Sequence, residues 1–105
     1  MDKTAINEIV QFLKLSLTNS GIVVDSIILF GSALSGNMNE NSDIDLIIIS
    51  PDFKDKNIFE KAELTMKSEW ETLKKYKIPM DILNFSPEEY QNSNIPKFYN
   101  TKIVA

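Results

Sequence analysis

The chain has 105 residues, of which 43% are hydrophobic, so it is long enough and apolar enough for one folded domain and not for two. Its formal net charge is −4 and all 11 basic residues are lysine, which argues against generic nucleic-acid binding, where a basic excess with arginine on phosphates is the rule. Cysteine and histidine are absent, which excludes disulfides and leaves oxygen donors as the ligands for any metal, favouring magnesium, manganese or calcium over zinc, copper or iron. No apolar run approaches the roughly 20 residues a membrane span needs. Met1-Asp2-Lys3-Thr4 leads into a charged amphipathic pattern unlike a signal peptide, so a cytoplasmic location is expected.

From about Thr4 to Asn19 the spacing of Ile6, Ile9, Val10, Leu13 and Leu17 predicts a helix with one apolar face. Asn19-Ser20-Gly21 is its stop, with Gly21 free to turn left-handed. The β-branched density of Ile22 to Phe30 predicts a strand. Gly31 to Ser42 is rich in Gly, Ser and Asn, with room for one short helical turn near Ala33-Leu34. Asp43 to Ser50 is the second strand, apolar on both faces and therefore central, and Pro51 ends it. A polar connection runs to about Asn57.

From there to Tyr76 a second long helix is predicted, with Ile58, Ala62, Met66, Trp70 and Leu73 along one face. That face is expected to point inward, with Trp70 in the core rather than serving as a stacking platform. After Pro79, Met80 to Phe85 forms a third short strand. Ser86-Pro87-Glu88-Glu89 has the capping-box pattern that opens a short helix. The tail from Lys97 to Ala105 is open between a last helix and a short edge strand. The whole, residues 1–105, reads as a single α+β domain in αβαβαβα order, with a small mixed sheet of three or four strands and flanking helices.

Asp43 and Asp45 sit two apart at the mouth of the second strand and so share a face. Two carboxylates there repel each other and lose hydration, a cost that a cation between them offsets. If the second and third strands are neighbours, Asp81 joins them. Three such carboxylates can hold a pair of divalent ions about 3.5–4 Å apart, the arrangement used for in-line phosphoryl or nucleotidyl displacement. Asp81 is the candidate to touch the attacking hydroxyl. Gly31 allows close backbone approach to phosphate, and Ser32 offers a hydroxyl and an N–H donor. A calcium loop over Asn37, Asn39, Asn41, Asp43 and Asp45 lacks the required Gly, where Ser42 stands, and the closing Glu, where Ile48 stands. Ser32 as a hydrolase nucleophile lacks a histidine base.

Gly31-Ser32, ten residues, then Asp43-Ile44-Asp45, flanked by Leu29-Phe30, Ser42 and Leu46, resembles the signature of the DNA polymerase beta-like nucleotidyltransferase superfamily. Within it the chain is similar to the minimal nucleotidyltransferases, which are about this long. The resemblance implies a nucleotidyltransferase fold, Asp43, Asp45 and Asp81 as metal ligands and catalytic carboxylates, and Gly31 and Ser32 on the nucleotide phosphates. It implies magnesium or manganese as cofactor and a nucleoside triphosphate, ATP, as substrate. It further implies a HEPN-domain ribonuclease toxin as partner in a hetero-oligomer, with AMP transferred to a hydroxyl of that protein. The alternative is an antitoxin that neutralises its partner by direct binding with little or no turnover. Ala33 and Ser35 stand where family members often carry arginine. Each missing guanidinium removes a charge-assisted phosphate contact of roughly 1.5–3 kcal/mol, a loss that falls on ATP affinity and not on the carboxylates. Lys54 and Lys56 in the next loop are expected to be solvated surface residues.

Overall fold

A computed structural model describes residues 3–31, 43–98 and 100–105. Helix α1 (Lys3–Asn19) buries the expected face, with Ile6, Ile9, Val10, Leu13 and Leu17 all 5% exposed or less. It ends in a Schellman turn, in which Ile22 N–H donates to Leu17 O at 3.0 Å and Gly21 N–H to Thr18 O at 3.0 Å. Gly21 takes φ +89°, the left-handed conformation that this turn needs.

Strand β1 (Ser26–Phe30) starts four residues later than the β-branched run suggests. Ile22 closes the helix cap, and Val23 N–H donates to Asp52 Oδ2 at 2.8 Å instead of to a strand. Strand β2 (Ile44–Ile49) follows, then a 3-10 turn over Pro51–Phe53 capped by Ser50, whose Oγ accepts from Asp52 N–H at 3.0 Å. The connection after β2 is less polar than its composition implies, because Phe53 is fully buried.

Helix α2 (Ile58–Tyr76) opens with a reciprocal capping box: Asn57 Oδ1 accepts from Glu60 N–H, and Glu60 Oε1 accepts from Asn57 N–H, each at 2.9 Å. Strand β3 (Met80–Phe85) and short helix α3 (Pro87–Asn92) match their predicted positions, with Ser86 and Glu89 forming the second capping box. The tail resolves into both candidates, a helical turn α4 (Ile95–Phe98) and an edge strand β4 (Thr101–Ile103).

The strands form one mixed sheet in the order β3-β2-β1-β4. β1 runs antiparallel to β2 and to β4, while β2 and β3 are parallel. The central β2 is covered on both faces, as expected. Ile44, Leu46 and Ile48 pack with Ile27, Leu29 and the α1 face, while Ile47 and Ile49 pack with Ile28, Phe85, Tyr90 and Ile95. The turn expected near Ala33-Leu34 lies outside the described residues.

One expectation is overturned. Helix α2 turns its polar side inward: Lys61, Thr65, Ser68 and Thr72 are buried. Its apolar stripe faces out, with Ile58 75%, Phe59 78%, Met66 63%, Trp70 61% and Leu73 36% exposed, so Trp70 is not core. The inward groups are hydrogen-bonded, which lets them be buried at little cost. Ser16 Oγ donates to Glu71 Oε2 at 3.1 Å and lies in hydrogen-bond contact with the Ser68 hydroxyl at 3.0 Å, Thr72 Oγ1 donates to Ser68 O at 2.8 Å, and Thr65 Oγ1 donates to Glu69. Lys61 Nζ reaches Glu89 at 2.9 Å. Helical spacing tells which residues share a face; it does not tell which face the fold covers.

Candidate active site

The parallel register of β2 and β3 runs from Ile44 opposite Met80 to Ile49 opposite Phe85, and it sets Asp45 directly opposite Asp81. Paired residues on adjoining strands share a face and stand about 4.8 Å apart along the hydrogen-bonding direction. Asp43 stands immediately ahead of β2, near enough for its charge to act on Asp45. Asp43 and Asp81 are exposed, while Asp45 is half-buried.

Asp45 carries the electrostatic cost of this arrangement. Burial pushes its carboxyl above the ordinary carboxylate range first, and the negative charges of Asp81 and then Asp43 push it further the same way. Among the described residues the ion pair is Lys61–Glu89, made by groups on α2 and α3, so no lysine relieves the aspartates. Lys54 and Lys56 come after the far end of β2, which lies about 13 Å along the strand from Asp45.

The third wall of the site comes from β1. Its last residue, Phe30, pairs with Asp45, and Gly31 follows with φ +78°. A Cβ at Gly31 would collide with Asp45 Oδ2 and lie 3.1 Å from its Cγ. Only glycine satisfies both the backbone conformation and the space, so Gly31 brings the loop backbone against the aspartate carboxylate. Sequence reasoning gave Gly31 a role toward phosphate and missed this one, because the contact depends on β1–β2 register. Ser32, the other expected phosphate-binding residue, lies outside the described residues, as do Ala33 and Ser35.

Among the described residues no group of three or more His, Cys, Asp or Glu side chains is gathered closely enough to hold a metal ion as it stands. The donor chemistry nonetheless suits a hard divalent cation. The candidate donors are carboxylate oxygens, Asp45 and Asp81 share one face, and the most enclosed of the three has its charge destabilised by the other two.

Residues 6–103 match the nucleotidyltransferase domain family, and the chain belongs to that family. Its fold is similar to that of a Sulfolobus solfataricus protein assigned as a nucleotidyltransferase, whose crystal structure extends to 1.40 Å resolution. The two are 18% identical over 98% of this chain and 87% of that one, with a TM-score of 0.61, a likeness of fold. No curated protein matches the sequence significantly. Family membership makes nucleotidyl transfer the general activity and a nucleotide the substrate class. Among the described residues no helix is long and apolar enough to cross a membrane.

Proposed function

We propose that this chain transfers a nucleoside monophosphate, AMP from ATP, to a hydroxyl of a protein partner, and that it serves as the antitoxin of a HEPN-type ribonuclease toxin. The observation that carries the catalytic half of this reading is the pairing of Asp45 with Asp81, with the charge of Asp43 acting on Asp45 and Gly31 packed against it. The antitoxin half rests on the resemblance to minimal nucleotidyltransferases. Asp43, Asp45 and Asp81 would hold magnesium or manganese, and the bound metal would supply positive charge to the triphosphate and acidify the attacking hydroxyl.

The residues of the chain do the rest. Gly31 and Ser32 line the triphosphate through backbone N–H groups and the serine hydroxyl. Asp81, exposed on an edge strand, is open to the acceptor and takes the proton from its hydroxyl. The acceptor oxygen bonds to the α-phosphorus, the bond from that phosphorus to its bridging oxygen breaks, and pyrophosphate leaves with the electron pair. Catalysis is chiefly placement of charge around the phosphorus.

The absence of arginine at Ala33 and Ser35 favours the second reading, neutralisation by contact without turnover. Incubation of the chain and its co-purified partner with α-labelled ATP and magnesium separates the two. Transfer of label to the partner by the wild type and not by Asp43→Asn/Asp45→Asn supports the enzyme. A double variant that still silences the partner in cells supports contact.

A further inference from the structure

The outward face of α2 is an apolar stripe that the other described residues leave exposed. Phe59, Met66 and Leu73 recur every seven residues, and Ala62 and Trp70 stand four residues either side of Met66. The stripe is therefore close to symmetric about Met66. Its exposed side chains amount to roughly 600 Å² per copy, at the upper end of what monomers leave in one patch and, doubled, about the 1,200 Å² at which specific interfaces begin. The charges beside it are also self-complementary on reversal: Glu60 and Glu63 flank the first half, Lys67 and Lys74 the second, and all four are exposed. We propose that α2 packs against α2 of a second copy of this chain, antiparallel, across a two-fold axis at Met66.

In that arrangement Met66 meets its own equivalent, Phe59 lies level with the partner's Leu73, and Ala62 lies level with the partner's Trp70. Glu63 falls within two residues of the partner's Lys67, about 3 Å along the axis, and Glu60 stands in the same relation to the partner's Lys74. Each contact occurs twice, as an isologous interface requires. An α2 that buries a polar face within its own domain and keeps the apolar one outside is built as a heptad-like seam. This inference does not depend on the nucleotidyl-transfer reading.

Sedimentation equilibrium of the full chain, from about 1 μM to about 1 mM, tests it, since even a pair with millimolar Kd registers at the upper end. The expected result is a monomer–dimer equilibrium accompanied by a blue shift of Trp70, the single tryptophan, as concentration rises. Met66→Glu, at a site already 63% exposed, is expected to abolish the dimer with an unchanged far-ultraviolet spectrum. Glu63→Lys and Lys67→Glu are each expected to weaken association about tenfold, and together to restore it to within about threefold. A chain that stays monomeric throughout, or that associates only with a different protein, overturns the proposal. So does a dimer indifferent to Met66→Glu, or a charge reversal that the double variant does not rescue.

Discussion

Asp45 and Asp81 face each other across a parallel strand pair, so that the most enclosed carboxylate of the candidate site is held beside another of the same charge. With its folded pKa raised above the unfolded value, Asp45 contributes stability that is fully present below the unfolded pKa and is lost as pH rises through the folded pKa. In chelator-containing buffer, Asp45→Asn is therefore expected to raise the melting temperature at neutral pH and to make no such gain at low pH. Thermal scans of both proteins across the acid range check this.

Gly31 tolerates no side chain. Gly31→Ala forces a residue with a Cβ into φ +78° and drives that atom into Asp45, so a loss of about 1–3 kcal/mol of stability is expected by urea denaturation. Because the clash displaces Asp45, nucleotide binding should weaken in the same variant, while Gly21→Ala, which meets nothing within 4 Å, should cost only its backbone strain.

Lys61 and Glu89 tie α2 to α3, with side-chain exposures of 10% and 42%. Burial works to raise the Glu89 carboxyl, but hydrogen bonds from Ser86 and Lys61 outweigh it and hold Glu89 below its ordinary range. Its stabilisation is present above the unfolded pKa and is lost as pH falls through the folded one. Glu89→Gln leaves the nearly buried ammonium without its counter-charge. With solvent screening of the half-exposed Glu89, the expected cost at pH 7 is about 1–2 kcal/mol, with a shallower acid limb in the variant.

The inverted face of α2 gives a direct contrast. In dilute solution, Trp70→Ala is expected to change stability by less than about 0.5 kcal/mol, whereas Leu13→Ala, fully buried on α1, should cost about 2–5 kcal/mol. Denaturant titration of the two variants side by side measures the difference.

Much of the fold was legible wherever local chemistry specifies it. The α1 face, the Gly21 stop, the Ser86 capping box and the two-sided β2 each depend on a few adjacent residues, and each stands where its residues indicate. The position of Asp81 opposite Asp45 needed the sheet order, which no local pattern supplies. The orientation of α2 was not legible for the same reason. Thr65, Ser68 and Thr72 form a second stripe at helical spacing, and only the tertiary hydrogen bonds of Ser16 and Asn84 show that this stripe is the inner one. β1 begins late because Ile22 is claimed by the local cap of α1 and Val23 by Asp52, a contact set by the packing of a distant segment. The β4 strand, three residues long, carries too little sequence to distinguish itself from a helical end.

The most direct test of the account is calorimetric titration of the purified chain with ATP in the presence of magnesium, beside the Asp43→Asn/Asp45→Asn variant. The account predicts binding by the wild type that disappears when magnesium is chelated and is absent from the variant. Binding of equal strength in the variant, or binding indifferent to magnesium, would contradict the placement of the nucleotide and its metal on the Asp43, Asp45 and Asp81 face.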